Sequence, residues 1–183
     1  MNKEKFVIRD VELSDAKTIL EIYTPYILNT VITFEYEVPA ESEFEERMRG
    51  ILGEYPYLVC ELNGKVIGYA YAHRYRERAA FAWGAELSVY LDQEYVGCGA
   101  GTVLYEKLIS ALKKQNIKTV YGIVAHPNEA SEKMHEKLGF RLVGISEKCG
   151  YKLGHWVDLA YYELEIGERY GVPEAVKRYE EIL

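Results

Sequence analysis

The sequence of 183 residues contains few cysteines and no long apolar run. Its apolar stretches fall well short of the roughly 20 residues that a membrane-spanning helix needs. The polar residues 2–5 lead directly into residues 6–8, without the apolar core of a signal peptide. The three cysteines, Cys60, Cys98 and Cys149, have the spacing of neither a disulfide framework nor a metal site. We therefore expect a cytoplasmic protein that does not enter a membrane and holds no metal ion.

The chain also lacks an excess of positive charge, since its formal net charge is −7. Binding to nucleic acid depends on lysine and arginine contacts to phosphates, so nucleic acid is not expected as a main partner. Repeats, linkers and low-complexity segments are missing as well. A hydrophobic content of 49% with 28% charged residues is typical of a folded domain. These features predict a single domain over residues 1–183.

Hydrophobic periodicity predicts alternating strands and helices, and hence a mixed α/β chain. The Asn63-Gly64 pair is a strong signal for a tight hairpin turn. The segment from residue 86 to residue 125 predicts a right-handed strand–helix–strand unit. In the first half of the chain we predict a strand at 6–9, a helix capped by Ser14-Asp15 and interrupted at Pro25, a β-like or extended stretch at 31–36, a charged helix at 41–54, and strands at 57–62, 66–72 and 86–91. In the second half we predict a helix at 103–114, a strand at 119–125, and a helix that begins at Asn128, has Ala130, Met134 and Leu138 inside and ends at Gly139. Strands at 140–145 and 156–166 follow, and then a short helix from Pro173 within a C-terminal extension at 167–183.

Residues 96–102, Val-Gly-Cys-Gly-Ala-Gly-Thr, join a predicted strand to a predicted helix. Free N–H groups at a helix start bind anions, typically phosphate. A nucleotide-triphosphate loop needs Gly-Lys-Ser/Thr, but Val103 follows Gly101-Thr102. The dinucleotide spacing G-x-G-x-x-G also fails, because its third glycine would fall on Thr102 or Leu104. A pyrophosphate cradle of the form R/Q-x-x-G-x-G/A fits the glycines but has Val96 at its first position, and a plain glycine turn is the alternative.

A second motif lies about 30 residues downstream and reads Asn128-x-x-Ser131-x-x-Met134-His135-Glu136-Lys137-Leu138-Gly139-Phe140. Together the two motifs resemble the paired acetyl-CoA motifs of the GNAT N-acetyltransferases. Further segments resemble the phosphinothricin acetyltransferase branch, which also includes enzymes for methionine sulfone and sulfoximine. They are Trp83-x-x-Glu86-x-Ser88-Val89-Tyr90 and Gly150-Tyr151-Lys152-x-Gly154-x-Trp156-x-Asp158. The resemblance covers about residues 6–166.

This resemblance implies a mixed, mostly antiparallel sheet that is splayed at its middle and has helices on both faces. It implies direct transfer of an acetyl group from acetyl-CoA to a primary amine, and a homodimer. Backbone groups of one strand would pair with the pantetheine arm as an added strand does. The residues implied for the cofactor are Val89, Tyr90 and Leu91 along the arm, Gly97, Cys98, Gly99, Ala100, Gly101 and Thr102 around the pyrophosphate, and Asn128, which binds the arm or orders its helix start.

Glu86 is the candidate general base, because a carboxylate in an apolar strand has a raised pKa that suits this role. The alternatives are a solvent-facing glutamate, or a base that acts through a water molecule. His135 is the candidate acid for the departing thiolate, with Tyr105 and Tyr121 as substitutes. Cys98 is not expected to be a nucleophile, since no paired base is recognisable near it.

The acceptor amine would contact Arg76 and Arg78, because guanidinium groups match carboxylate or phosphinate oxygens. Phe34, Phe81 and Trp83 would supply apolar walls. A solvated basic loop is the alternative for the two arginines. The sequence therefore predicts an acetyltransferase for a small amino-acid-like amine. An acetyltransferase for a polyamine, antibiotic or protein N-terminus, and a CoA-binding protein without turnover, are the competing functions.

Overall fold

Seven strands form one sheet in the computed structural model, which describes residues 6–183. They are β1 (Phe6–Asp10), β2 (Tyr57–Leu62), β3 (Lys65–Arg74), β4 (Gly84–Leu91), β5 (Thr119–His126), β6 (Arg141–Lys152) and β7 (His155–Glu165). The pairing order is β1-β2-β3-β4-β5-β7-β6, and β4–β5 is the parallel pair among antiparallel ones. The predicted mixed, mostly antiparallel sheet is confirmed.

Helices cover both faces of this sheet, as predicted. They are α1 (Ala16–Asn29), α2 (Glu41–Arg49), α3 (Ala100–Lys114) and α4 (Glu129–Lys137). One apolar core joins α3 to the inner strands, and a second joins α1 and α2 to the opposite face. Amphipathic helices need such a surface to bury their apolar stripes. Residues 31–36, predicted as β-like or extended, form a loop outside the strands.

The β2–β3 hairpin turns at Asn63 and Gly64, which have φ values of 54° and 77°. Two successive positive φ angles are those of a type I′ turn, whose twist matches that of paired strands. The hairpin predicted from the Asn-Gly pair is therefore confirmed. The returning strand, β3, also pairs with β4, and that second pairing sets His73 opposite Glu86.

Several predicted helix features are corrected by the structure. Pro25 does not interrupt α1, because buried residues on both sides of it pack against the sheet and compensate for one lost backbone hydrogen bond. Helix α2 ends at Arg49 instead of residue 54. Ala130 is exposed, and the buried side chain of α4 is His135. Gly139 ends this helix as predicted, with a φ of 90°.

The C-terminal segment, residues 167–183, does not form the predicted helix from Pro173. It is extended apart from a 3₁₀ turn at Tyr179–Glu181. Its backbone carbonyls accept hydrogen bonds from side chains of the domain, which favours the extended form over a helix. The bonds are Trp83 Nε1 to Glu174 at 2.7 Å, Asn116 Nδ2 to Ala175 at 2.8 Å and Gln115 Nε2 to Lys177 at 2.9 Å.

No helix within residues 6–183 has the length and apolar character that crossing a membrane requires. In the same part of the chain, no group of three or more histidine, cysteine, aspartate or glutamate residues is placed to hold a metal ion. The expected lack of a metal cofactor stays a prediction.

Candidate active site

The sheet splits open between β4 and β5. These strands pair at Gly84 with Thr119, at Ala85 with Val120 and at Glu86 with Tyr121, and within the described chain their pairing stops there. Beyond Glu86 a cleft runs between them, and α3 and α4 border it. Its lining includes Val89, Tyr105, Asn128 and His135. The splayed sheet expected from the sequence is thus present, with Glu86 at the point where it opens.

Strand β4 presents to this cleft backbone groups that no neighbouring strand pairs with. Backbone groups of alternate residues point to opposite sides of a strand. The N–H of Asp92 donates to Ile67 on the β3 side, so Leu87, Val89 and Leu91 face the cleft. The carbonyls of Leu87 and Leu91 accept hydroxyl hydrogens from Tyr105 and Tyr26, at 3.2 and 2.7 Å.

Val89 is therefore the residue of β4 best placed to pair with an extended ligand. Tyr90, also predicted to contact the cofactor, directs its backbone toward β3. Its ring packs instead against Tyr23, Tyr26 and Tyr69 on the other face of the sheet.

The glycine loop ends at the first turn of α3. Gly97 and Gly99 have φ values of 82° and 96°, and a Cβ added to either would meet no atom within 4 Å. Gly99 is the residue before the helix and has no side chain to cap it. The first N–H groups of a helix have no partner inside it. Those of Ala100, Gly101 and Thr102 therefore point out of α3 beside two residues that leave room for a large ligand.

Three residues of the loop, Val96, Cys98 and Gly101, depart from a simple pyrophosphate cradle. The N–H of Cys98 donates to the carbonyl of Tyr95 at 3.2 Å, so it is already engaged. A Cβ on Gly101 would lie 3.2 Å from Met134 Sδ, which explains the glycine by helix packing rather than by ligand approach. Val96, where arginine or glutamine is usual, is 51% exposed.

Asn128 begins α4 and caps it. Its Oδ1 accepts a hydrogen bond from the N–H of Ser131 at 3.2 Å. Its own N–H donates to Glu132 Oε1 at 2.7 Å. Asn128 also lines the cleft. The predicted ordering of the helix start is therefore present, and its contact with the CoA arm stays a prediction.

Glu86 is half-buried on the face of the sheet opposite α3. Burial raises the pKa of its carboxyl, and the nearby His73 partly opposes that rise. His73 lies directly across from it on β3, with Nε2 3.7 Å from Glu86 Oε1. Nδ1 of His73 is 3.0 Å from the carbonyl of Arg74, which requires a hydrogen on Nδ1. Glu86 therefore has the raised pKa of a general base and an imidazole beside it.

His135 is almost completely buried, with 2% of its surface exposed. Nδ1 is 2.8 Å from the carbonyl of Ser131 and must donate to it. Burial lowers the pKa of the imidazole, which keeps it neutral and leaves Nε2 without a hydrogen. Nε2 has no hydrogen-bond partner among the described residues. Nε2 lies against Gly122 of β5, since a Cβ added to that glycine would be 2.2 Å from it. A neutral imidazole with a bare Nε2 has no hydrogen there for a thiolate, and the acid role of His135 stays a prediction.

Tyr105 lies beside His135, with their rings edge to face at 5.3 Å. Its hydroxyl donates to the carbonyl of Leu87, inside the cleft lining. Burial strongly raises the pKa of this phenol, so it keeps its hydrogen at neutral pH. Tyr121 is not similarly placed, because its ring stacks on Tyr75 at 3.8 Å, away from α3.

The predicted substrate residues fall into two groups. Phe81 and Trp83 line a cavity of about 240 Å³ at the start of the β4–β5 pair. The guanidinium group of Arg76 lies over the rings of Tyr75 and Phe81, at 5.0 and 5.3 Å. Arg78 is exposed before the 3₁₀ turn at Ala79–Phe81. Phe34 is separate from them, with its ring packed directly over Gly150 of β6.

The family described as "Acetyltransferase (GNAT) domain" matches residues 8–160, which is most of the chain. The chain belongs to the GNAT acetyltransferases. The resemblance to the GNAT family, which was based on the two motifs, is therefore confirmed. The match begins in β1 and ends in β7, so it includes the glycine loop, Glu86 and α4.

Relatives place this acetyltransferase in the predicted branch. A phosphinothricin N-acetyltransferase of Streptomyces viridochromogenes is 31% identical over 156 residues, 85% of each chain. An L-methionine sulfoximine/L-methionine sulfone acetyltransferase of Salmonella typhimurium is 31% identical over 170 residues, 92% of this chain and 98% of the relative. A phosphinothricin acetyltransferase of Sinorhizobium meliloti, crystallised with acetyl-CoA, is 34% identical with a TM-score of 0.89, over 93% of this chain and 94% of that one.

Sequence reasoning did not single out two side chains near the acetyltransferase site. His73 stands on β3, and only strand register brings it opposite Glu86. Lys118 lies between α3 and β5 and lines the 240 Å³ cavity together with residues 168–171. The periodicity of β3 could have indicated that His73 shares a face with Tyr71. Nothing in the sequence indicated that the C-terminal segment returns to the site.

Proposed function

We propose that this protein transfers the acetyl group of acetyl-CoA to the primary amine of a small amino-acid-like substrate, of the phosphinothricin or methionine sulfone and sulfoximine type. The observation that carries the proposal is the position of Glu86. It is a half-buried carboxylate at the opening of the splay, between unpaired β4 backbone and a cavity with aromatic walls.

Acetyl-CoA, the proposed cosubstrate, supplies an acetyl group already activated as a thioester. The residues present fit it on two grounds. The open space beside Gly97 and Gly99 and the amides of Ala100, Gly101 and Thr102 suit a pyrophosphate at the start of α3. The N–H and C=O groups of Val89 suit the amides of an extended pantetheine arm. Asn128 borders the same path.

Glu86 accepts a proton from the acceptor ammonium, which leaves the amine free to attack. The raised pKa brings its basicity closer to neutral pH, where a general base is most effective. His73, whose side chain is more exposed than that of Glu86 and lies 3.7 Å from it, is placed to pass that proton toward solvent. The hydroxyl of Tyr105, donated to the Leu87 carbonyl in the free protein, turns to the departing sulfur and stabilises the thiolate. The proton that the acylated nitrogen loses then neutralises that thiolate. In this proposal Tyr105 takes the role first considered for His135.

The acceptor lies against Phe81 and Trp83, and Arg76 attracts its acidic group. Arg76 is held by the two rings beneath it, which fixes its charge near the cavity mouth. Phe34 packs over Gly150 of β6 and is not among the residues that line this cavity, so we assign it no contact with the acceptor side chain.

One experiment separates the competing functions. Purified protein receives acetyl-CoA and a panel of amines, and release of free thiol is followed over time. Phosphinothricin, methionine sulfone and methionine sulfoximine should be acetylated, and spermidine should not. Turnover of spermidine or of a peptide N-terminus alone would favour another acetyltransferase. Saturable acetyl-CoA binding without turnover on any amine would favour a non-catalytic CoA-binding protein.

We also propose that the protein is a homodimer in the cytoplasm. Strand β6 is at one edge of the sheet and exposes Leu142, Val143 and Ile145, each more than two-fifths accessible. An apolar sheet edge of this kind is rarely left open in a monomer. Three free cysteines, one of them buried at Cys60, agree with a reducing compartment.

A further inference from the structure

The 240 Å³ cavity is bounded on one side by the C-terminal segment, which lies beyond the residues that the family matches. Residues 168–171 and Pro173 form this side. The hydrogen bond from Trp83 Nε1 to the carbonyl of Glu174 ties the segment to the opposite wall. The remaining walls are mainly the rings of Tyr75, Phe81, Trp83 and Tyr121. The segment is therefore an anchored part of the cavity.

The cavity lies next to Glu86. Gly84, in its wall, is two residues before Glu86 on β4, so both positions face the same side of the sheet. Tyr121, also in the wall, is the register partner of Glu86 on β5. Two residues along a strand span about 7 Å. A molecule whose amine is at Glu86 can therefore extend its side chain into the cavity.

Three charged residues are among those that line the cavity: Lys118, Glu168 and Arg169. Arg169 is paired with Glu165 and lies 4.0 Å from Glu163, so its charge is largely compensated. Lys118 and Glu168 form no ion pair with any residue in the described part of the chain. The ammonium of Lys118 lies beside the start of the C-terminal segment, since a Cβ on Gly167 would be 3.5 Å from Nζ.

We propose that this cavity receives the side chain of the acceptor and that Lys118 selects acceptors with a negative charge at the far end of that side chain. The inference rests on the proposed function and deepens it. The aromatic walls suit an aliphatic stem, and the unpaired ammonium suits a phosphinate or carboxylate. Glu168 opposes this preference, because it places a carboxylate in the same lining.

Phosphinothricin and methionine sulfone provide a matched test. The first carries a distal phosphinate, and the second has a neutral sulfone in a side chain of similar length. Lys118→Gln should raise KM for phosphinothricin about tenfold, the effect of losing one hydrogen bond between charged groups, and change KM for methionine sulfone less than about twofold. Glu168→Gln should lower KM for phosphinothricin. Lys114→Gln, at the exposed end of α3, is the control and should change neither value.

Equal increases of KM for both acceptors in Lys118→Gln would overturn the proposal and leave the acetyl-transfer function intact. A lower KM for phosphinothricin in Lys118→Gln would overturn it as well. Unchanged KM for acetyl-CoA in all three variants is expected, because none of these residues lines the cofactor cleft.

Binding without turnover gives an independent readout. The chain has two tryptophans, and Trp156 is exposed on β7, so Trp156→Phe leaves Trp83 as the reporter in the cavity wall. Phosphinothricin should quench its fluorescence with a Kd that Lys118→Gln weakens about tenfold. If quenching depends on Lys118 but no amine is acetylated, the site stands and the proposed reaction fails. If phosphinothricin does not change the fluorescence, the site is overturned whatever the turnover.

Discussion

Glu86 combines a functional advantage with a cost to folding. Its folded-state pKa is raised, so ionisation is easier in the unfolded chain. Its contribution to stability is complete below the unfolded pKa, about 4.3, and is lost as pH rises through the folded pKa. Glu86→Gln should reduce kcat by about 10²–10⁴-fold. At neutral pH it should leave the melting temperature unchanged or raise it.

Thermal melts of both proteins at about pH 4 and about pH 8, on either side of the usual glutamate range, check this prediction. Any increase in the melting temperature of Glu86→Gln over the native protein should appear only at the higher pH. Full activity of Glu86→Gln at all pH values would exclude Glu86 as the base.

His73 should tune that base. A protonated imidazole lowers the pKa of Glu86, so removing it should raise that pKa. The acid limb of kcat/KM should then move to higher pH by up to about one unit in His73→Ala. A pH–rate profile measures the shift. His155→Ala, an exposed histidine at the start of β7, is the control and should leave the limb in place. A shift to lower pH would contradict the assigned contact.

Tyr105 and His135 can be separated by the hydrogen that each carries. Tyr105→Phe removes only a hydroxyl whose bond to Leu87 is long, at 3.2 Å, so the fold should lose no more than about 1.5 kcal/mol. We expect kcat to fall by about 10²-fold or more, with little change in KM for acetyl-CoA. His135→Gln tests the alternative. If it abolishes turnover in a folded protein while Tyr105→Phe is fully active, His135 is the acid.

At the scale of elements, the glycine loop and α3 act together. Gly99 has the positive φ that an alanine adopts only with strain of about 1 kcal/mol. Gly99→Ala should therefore lower stability slightly and also raise KM for acetyl-CoA several-fold, because the added methyl occupies the open space at the helix start.

Gly64→Ala is the matched control for that variant. It carries the same kind of strain at a φ of 77° with open space around it, but in the β2–β3 hairpin. It should lose comparable stability in urea unfolding without any change in KM for acetyl-CoA. Equal effects of both variants on KM would argue against the cradle.

At the scale of the whole molecule, the exposed edge at β6 bears on assembly. Val143→Lys places a charge on an apolar strand edge, which opposes strand-to-strand association. If two copies meet there, gel filtration should show a dimer for the native protein and a monomer for the variant. Lys148→Glu, on the same strand but at an exposed polar position, should remain dimeric. A native protein that elutes as a monomer would refute the assembly.

Many turns, caps and helix ends of this molecule could be predicted from a few neighbouring residues. The Asn63-Gly64 hairpin, the glycine at the start of α3, the Asn128 cap and Gly139 depend on backbone angles and hydrogen bonds between near neighbours. Such features are set by residue type, so they could be predicted. The resemblance of two such motifs to the GNAT family pointed to acetyl-CoA as the donor, and a neighbouring motif pointed to Glu86 as the candidate base.

Tertiary structure decided the rest, because those features depend on residues far apart in the chain. Packing on both sides kept α1 continuous through Pro25. Strand register placed His73 against Glu86. Burial between α4 and β5, with Nδ1 bonded to Ser131, kept His135 neutral. Hydrogen bonds from Trp83, Gln115 and Asn116 hold the C-terminal segment beside the 240 Å³ cavity in place of a helix. The residue pattern was enough for the family and for acetyl-CoA as the expected donor, with Glu86 as the proposed base. Contacts between distant residues set what surrounds Glu86 and the 240 Å³ cavity.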